Sequence, residues 1–335
     1  MLIAVDAMGG DHAPEQIVAG ALLAARQTQV EVAVVGIPER IEPLLGSNPP
    51  DNLRLVPAES VVGMEEAPSY AIRHRKDSSL ARAVDLVASG EADGVVSAGN
   101  SGAFMAMALL WLGRVAGVDR PAIATPVPTP IGDRILLDAG ANMDCTPENL
   151  VQFGILGSVY CSCALGLQSP RVGLLNIGTE LSKGDELTRA ARELLEKAPI
   201  NFIGYIEGND IFSGKVDVVV CDGFVGNAIL KAGEGLSHLL LGELKQAFRK
   251  SFLAKVGLVF MYPALRRMGR RFDYSSYGGA LLLGVKGVCV VCHGRSSAKA
   301  IANAVAVAEG AARGRLIEGM TLACEKAEAS HFERT

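Results

Sequence analysis

Residues 94–103 settle the fold: Gly94-Val95-Val96-Ser97-Ala98-Gly99-Asn100-Ser101-Gly102-Ala103, a short β-branched run, a cluster of Ser, Gly and Asn, then an apolar helical stretch. The same sentence is written elsewhere in the chain. Residues 2–5 close on Asp6-Ala7-Met8-Gly9-Gly10-Asp11, and residues 135–137 on Asp138-Ala139-Gly140-Ala141-Asn142. Residues 172–175 close on Asn176-Ile177-Gly178-Thr179-Glu180, residues 216–221 on Asp222-Gly223-Phe224-Val225-Gly226-Asn227, and residues 288–292 on His293-Gly294-Arg295-Ser296-Ser297. Strands that are apolar throughout are buried on both faces, the habit of parallel sheets covered by helices. The expected fold is α/β: a Rossmann-like, three-layer, mostly parallel sheet. Ligands of such sheets gather beyond the carboxyl ends of the strands. One Gly-rich turn is explained by turn geometry alone, whereas six ends carrying the same small polar residues predict one shared site.

Composition agrees. At 335 residues, 49% hydrophobic and 20% charged, the chain reads as a soluble globular enzyme rather than a disordered tail or a disulfide scaffold. Only 5% is aromatic, so the core must be built mainly of Val, Leu, Ile and Ala. Length allows about two domains or one large one; the unbroken strand–helix rhythm favours a single α/β domain over residues 1–335. A net charge of −4 gives no reason to expect nucleic acid. The opening MLIAVDAMGGDH lacks a basic n-region, so no secretory leader is expected. The apolar run 103–113 is too short to cross a bilayer. Seven scattered cysteines read as free thiols in a reducing cytoplasm.

Cys289-Val290-Val291-Cys292-His293 matches the CxxCH of covalent haem attachment. It lies in an apolar strand, where positions i and i+3 point to opposite faces, so the two sulfurs are not expected to share a ligand.

Residues 236–274 break the rhythm. Leu241, Leu244, Phe248, Phe252, Val256 and Val259 fall within about 120° on a helix. Gly257 and Pro263 then mark a bend before Arg266, Arg267, Arg270 and Arg271. Eight Lys and Arg stand against two acids over 243–274, a net +6 in a chain whose total is −4. A basic, amphipathic helical hairpin is expected here. It suits lipid headgroups or an acidic protein, or else dimerisation with a solvated basic face. Its contact residues would be Phe248, Arg249, Phe252, Lys255, Val259, Arg266, Arg267 and Arg270.

No GxGxxG after a strand, GxxxxGK[ST], GxSxG or HExxH is present. Five thinly spread histidines do not point to a metal cluster. What remains is a set of helix starts whose amides bind anions readily. The better two are 97–102 and 222–227, with Arg73, Arg75, Lys76, Ser78 and Ser79 able to add charge-assisted bonds or simply to form a solvated, capped helix face. Asp6, Asp11, Glu180, Glu207, Asp210 and Asp222 stand near strand ends, where they orient ligands, hold a lysine such as Lys183, or cap helices.

Together, DAMGGD (6–11), RHRKDSS (73–79), SAGNSGA (97–103), DAGAN (138–142), LLNIGTE (174–180), EGNDI (207–211), DGFVGN (222–227) and YGGALLLGVKG (277–287) resemble the phosphate acyltransferases of the PlsX type. The resemblance runs over essentially the whole chain. Ser101 stands where that family is expected to carry threonine, and Leu80 where methionine is usual. The resemblance implies a fold like that of isocitrate and isopropylmalate dehydrogenases and of phosphotransacetylase, in a cytoplasmic homodimer peripherally associated with the membrane. It implies transfer of a long-chain acyl group from acyl carrier protein to inorganic phosphate, giving acyl phosphate for a membrane glycerol-3-phosphate acyltransferase. It implies no metal or nucleotide cofactor. Rival readings are a short-chain CoA-dependent phosphate acyltransferase, a nicotinamide-dependent decarboxylating dehydrogenase, and a membrane-docked scaffold for acyl carrier protein.

If phosphate is itself the nucleophile, the protein must hold two reactants together and stabilise developing charge. Lys76, Ser78, Ser79, Ser97, Gly99, Ser101 and Gly102 are expected to hold phosphate. Asn142, Asn176 and Asn227, or neighbouring amides, are the candidates facing the thioester oxygen, Asn100 is a further catalytic candidate within the 97–102 loop, and His293 is the candidate to protonate the leaving thiolate, with a structural turn role as its alternative. Asp6, Gly9, Gly10, Asp11, Gly178, Thr179, Glu180, Lys183, Glu207, Asp222, Gly223 and Gly226 complete the expected lining.

Overall fold

The computed structural model describes residues 1–250, 261 and 278–332. The chain opens with β1 (Leu2–Asp6), α1 (Glu15–Gln27), β2 (Glu31–Gly36), α2 (Pro38–Leu45), β3 (Leu53–Pro57), α3 (Pro68–His74), α4 (Ser79–Ala88), β4 (Gly94–Ser97) and α5 (Ser101–Trp111). A second run follows: β5 (Ala122–Thr129), β6 (Gly132–Leu137), α6 (Pro147–Leu165), β7 (Arg171–Leu175), α7 (Glu186–Leu195), β8 (Asn201–Ile206), β9 (Val218–Val220) and α8 (Gly223–Lys250). The chain then returns through β10 (Ala280–Leu283), β11 (Val288–Val291), α9 (Ala298–Arg313) and α10 (Leu316–Phe332).

The strands form one sheet in the order β3-β2-β1-β4-β11-β10-β5-β6-β9-β7-β8. Five neighbours are parallel at one end, from β3 to β11. Four are parallel at the other, from β6 to β8. The joint between them, β11-β10-β5-β6, is antiparallel throughout.

Period-two packing on both faces explains why the strands read as apolar throughout. Ile3 and Val5 of β1 pack with α1 and α9, while Leu2 and Ala4 pack with α4 and α5 on the opposite face. The second lobe has α6, α7 and α10 on one face and the start of α8 on the other. Layering of this kind is the expected three-layer α/β architecture. Cys289 lies in the α4/α5 cluster and Cys292 in the α1/α9 cluster, so the two sulfurs of CxxCH are on opposite faces as expected.

All six strands expected from the sequence are present. Of the missed ones, β5 carries Pro126 and Pro128, which pair with β6 beyond the stretch paired with β10. Proline is tolerated there because one flank needs no N–H. The proposed hairpin boundary at 236 falls inside the single helix α8, in which Leu236, Leu239 and Leu240 are exposed and Leu244 and Phe248 half-buried. The side chain of Arg249, and Phe252, Lys255, Val259, Arg266, Arg267 and Arg270, lie outside the described residues. No helix among the described residues is long and apolar enough to cross a membrane.

Candidate active site

Strands β1, β4 and β11 run one way and β6, β7 and β9 the other, so their carboxyl ends form two rims. Five strand spacings of about 4.8 Å, from β4 to β9, separate the two rims by roughly 24 Å along the sheet.

The first rim is three interlocked loops. Asp6, 1% exposed, accepts from Ser79 Oγ at 2.6 Å, from Ser97 Oγ at 2.7 Å and from the Met8 amide at 3.3 Å. Ser97 Oγ accepts in turn from the Gly99 amide at 3.0 Å. Burial pushes the Asp6 carboxyl above its ordinary range, against the pull of these hydrogen bonds. A Cβ on Gly9 would lie 2.4 Å from Asp6 Oδ2 and 2.8 Å from the Gly99 backbone, so only glycine lets the β1 and β4 loops touch. The Asp11 amide donates to Gly294 O at 2.8 Å, joining the β11 loop.

Asn100 caps α5: its Oδ1 accepts from the Ala103 amide at 3.0 Å. Its Nδ2 donates to the carbonyls of Gly63, Met64 and Glu66 at 3.1, 3.1 and 2.8 Å. With both ends so engaged, Asn100 pins the 63–66 strap beside the rim instead of facing a substrate. The strap's other tie is Glu66, whose Oε1 accepts from Arg75 Nε and Nη2 at 3.0 and 2.7 Å. The Arg75 bond holds the Glu66 carboxyl below its usual range. Ser78 is likewise spent, capping Ala81 and donating to Arg75 O. Ser101 and Lys76 are exposed and Gly102 half-buried. The amides of Ser101 and Gly102, in the first turn of α5, lack intrahelical acceptors. His293 Nδ1 accepts from the Arg295 amide at 3.1 Å, which leaves a neutral ring its proton on Nε2. Arg295 lies 3.8 Å from Asp11.

The second rim centres on Asp138, fully buried and accepting from the amides of Ile123, Gly140, Ala141 and Asn142 and from Asn142 Nδ2. Burial raises its carboxyl in spite of these bonds. Asn142 Nδ2 also reaches Pro121 O at 2.8 Å, and Asn142 O accepts from the Gly223 amide at 2.7 Å, so this asparagine too is a loop tie. A Cβ on Gly226 would meet the Asp138 carbonyl at 1.9 Å, fixing α8 on the β6 loop. Asp222 caps α8 by accepting from the Val225 amide at 2.9 Å, placing a carboxylate where an anion would bind. Asn227 is exposed above Gly140; Asn176, half-buried, donates to Gly178 O. Glu180 and Lys183 border Gly178, and Thr179 is exposed beside them. Glu207 belongs to a separate turn after β8, where its amide donates to Asp210. Met143, Ile177, Leu181 and Phe224 form an exposed apolar fringe, Ile177 at 80% and Met143 at 71%. Burial pushes the Cys145 thiol up to about 11, away from the reactive thiolate form.

The strap, the Asp6 relay and the apolar fringe were missed by sequence reasoning. The strap's contacts span 34–37 residues, which no local pattern displays. The run of exposed-type apolar residues inside polar turns (Met143, Ile177, Leu181, Phe224) was a readable signal for the fringe. Among the described residues no group of three or more His, Cys, Asp or Glu is placed to hold a metal.

Residues 1–318 match the family model described as Fatty acid synthesis protein. The phosphate acyltransferase of Pelotomaculum thermopropionicum is 51% identical over 329 residues, 98% of this chain and 96% of that protein. That of Heliobacterium modesticaldum is 51% identical over 311 residues, 92% and 93% of the two. In fold, a phosphotransacetylase from Streptococcus pyogenes superposes with a TM-score of 0.62 at 16% identity, covering 95% of this chain and 94% of its own. A 4-hydroxythreonine-4-phosphate dehydrogenase from Klebsiella pneumoniae does so with 0.55 at 14%, covering 93% and 99%. The sheet thus belongs to a fold shared by phosphotransacylases and a dehydrogenase, and the chain itself belongs to the PlsX-type phosphate acyltransferase family, as an acyltransferase.

Proposed function

We propose that the enzyme transfers a long-chain acyl group from acyl carrier protein to inorganic phosphate, supplying acyl phosphate to phospholipid synthesis. The observation that carries this reading is the contrast between two helix starts. At α5 the amides of Ser101 and Gly102 follow a glycine-lined rim with no carboxylate at the cap, whereas at α8 a carboxylate already occupies it. A helix start of the first kind binds phosphate; one of the second kind disfavours it.

Phosphate held at the first rim attacks the thioester carbonyl carbon directly. The C–O bond forms, the carbonyl becomes a tetrahedral oxyanion, and the C–S bond then breaks. The proton of hydrogen phosphate ends on sulfur, directly or through His293 Nε2, so atoms and charge balance with no protein nucleophile. Proximity and preorganised donors supply the rate. Asn100 and Asn142 act by holding loops. Asn176 and Asn227, on the second rim, are assigned to the acyl side together with the fringe of Met143, Ile177, Leu181 and Phe224, which suits a hydrocarbon chain. In this reading the enzyme is a cytoplasmic homodimer without metal or nucleotide. Its basic 236–274 segment meets acidic carrier protein or anionic lipid, close to the membrane acyltransferase that consumes the product.

Purified enzyme mixed with palmitoyl-[acyl carrier protein] and phosphate tests the proposal, with thiol release followed and acyl phosphate trapped by hydroxylamine. Thiol release that requires phosphate and matches hydroxamate formed is expected. Release without phosphate, or turnover of acetyl-CoA in preference to the long-chain substrate, would overturn it.

A further inference from the structure

Asp6 poses a problem that stability alone does not answer. Its carboxyl is 1% exposed, and among the described residues its hydrogen-bond partners are two hydroxyls and backbone amides, none of them a cation. A buried carboxylate without a cation costs free energy even when it is hydrogen-bonded. A pair of apolar side chains would join β1 to α4 at less cost. The expense makes sense if the carboxylate fixes something that packing cannot.

What it fixes is the direction of the β4 loop. Oδ2 accepts a hydrogen bond from Ser97 Oγ, so that Ser97 Oγ, its one hydrogen engaged, acts as acceptor for the Gly99 amide. Oδ1 accepts from Ser79 Oγ, at the start of α4, and from the Met8 amide. Three segments are thereby locked around one group. The Gly99 amide is drawn inward, and the chain leaves Asn100 with the Ser101 and Gly102 amides at the open start of α5. Neither hydroxyl proton is available to a ligand, which revises the expectation that Ser79 and Ser97 grip phosphate with their side chains.

We infer that Asp6 is a positioning residue for phosphate: through Ser97 and Gly99 it sets the loop whose later amides receive the anion, without touching the anion itself. The inference rests on the proposed reaction. In Asp6→Asn one oxygen becomes an N–H donor facing a hydroxyl or amide that also donates, so one arm of the relay must turn around. Ser97→Ala removes the same arm from the other end and deletes a single hydroxyl, which keeps the test open if Asp6→Asn folds poorly.

Steady-state kinetics with phosphate and acyl carrier substrate varied separately decide the matter. Both variants are expected to raise the phosphate KM roughly 10- to 100-fold, with the KM for the acylated carrier within about twofold, and the double variant to be no worse than the poorer single one. A purely structural role would lower the active fraction, and so the apparent kcat, leaving both KM values in place. Unmoved phosphate KM in both variants, or equal rises for both substrates, overturns the role of Asp6. Wild-type enzyme run alongside separates the two claims: if its thiol release ignores phosphate, the proposed reaction falls; if it depends on phosphate while the variants are unmoved, only the positioning role falls.

Discussion

Asn100 separates two kinds of asparagine, the donor aimed at a reacting oxygen and the tie that holds a loop. Its Nδ2 has two hydrogens, and three carbonyls of the 63–66 strap lie 2.8–3.1 Å away. Its Oδ1 satisfies the Ala103 amide at the start of α5. Asn100→Ser retains an oxygen for the cap and deletes the donors. Two hydrogen bonds at about 0.5–1.5 kcal/mol each give an expected loss of about 1–3 kcal/mol. Asn100→Ala loses the cap as well, adding about 1 kcal/mol for a total of about 2–4 kcal/mol. Urea unfolding should therefore rank wild type above Ser above Ala. The strap borders the rim, since a Cβ on Gly294 would meet the Met64 side chain at 3.0 Å. Loosening it should raise the phosphate KM while kcat stays within roughly tenfold. An oxyanion donor behaves otherwise, costing roughly 100- to 1000-fold in kcat. Unchanged stability with a kcat loss of that size in both variants would refute the assignment of Asn100 as a tie.

Other outcomes follow from the same geometry. Asp217, in contact with Arg134 at 2.6 Å and Arg171 at 2.8 Å, is pushed up by burial but pulled below its ordinary 3.8 by the Arg171 hydrogen bonds and the two guanidinium charges. A lowered folded-state value contributes stability above the unfolded one and loses it as pH falls through the folded one. Asp217→Asn should thus cost about 3–5 kcal/mol at pH 7, with the gap to wild type closing only below about pH 4; a gap constant from pH 7 to pH 3 would refute this. Gly9→Ala should cut phosphate-dependent turnover severely, because the new methyl would overlap Asp6 and Gly99; activity within threefold of wild type would count against the interlocked loops. Replacing Ile177 or Phe224 by Asp should raise the KM for a C16 carrier substrate more than for a C6 one, and equal effects would remove the fringe from chain binding. In liposome flotation, Phe252→Glu and Arg266→Glu should lower retention on anionic vesicles, and binding equal to wild type at every lipid composition would remove the membrane role of the basic segment.

Much of this architecture is legible in local pattern. The six apolar runs that end in small polar residues are all strands, and the period-two argument that separated Cys289 from Cys292 holds in the packing. The joint between the lobes was not legible. Whether β11, β10, β5 and β6 pair parallel or antiparallel depends on partners up to about 160 residues apart, and β5 hides behind Pro126 and Pro128. That one topological fact divides the strand ends between two rims. In the site, residue types were visible but the direction of each side chain was not. Ser79 and Ser97 have hydroxyls suited to phosphate, yet a buried carboxylate 73 and 91 residues away claims both protons. Asn100 and Asn142 read as donors to substrate because their carbonyl partners lie 34–37 and 21 residues away, beyond any local pattern.

Direct attack by phosphate requires the ion to sit at the start of α5. A crystal structure of the enzyme soaked with phosphate tests that placement. Phosphate oxygens are expected about 2.7–3.2 Å from the Ser101 and Gly102 amides, within reach of Lys76. Phosphate found instead at the start of α8, or an empty first rim at a concentration that saturates turnover, would contradict the claim on which the mechanism stands.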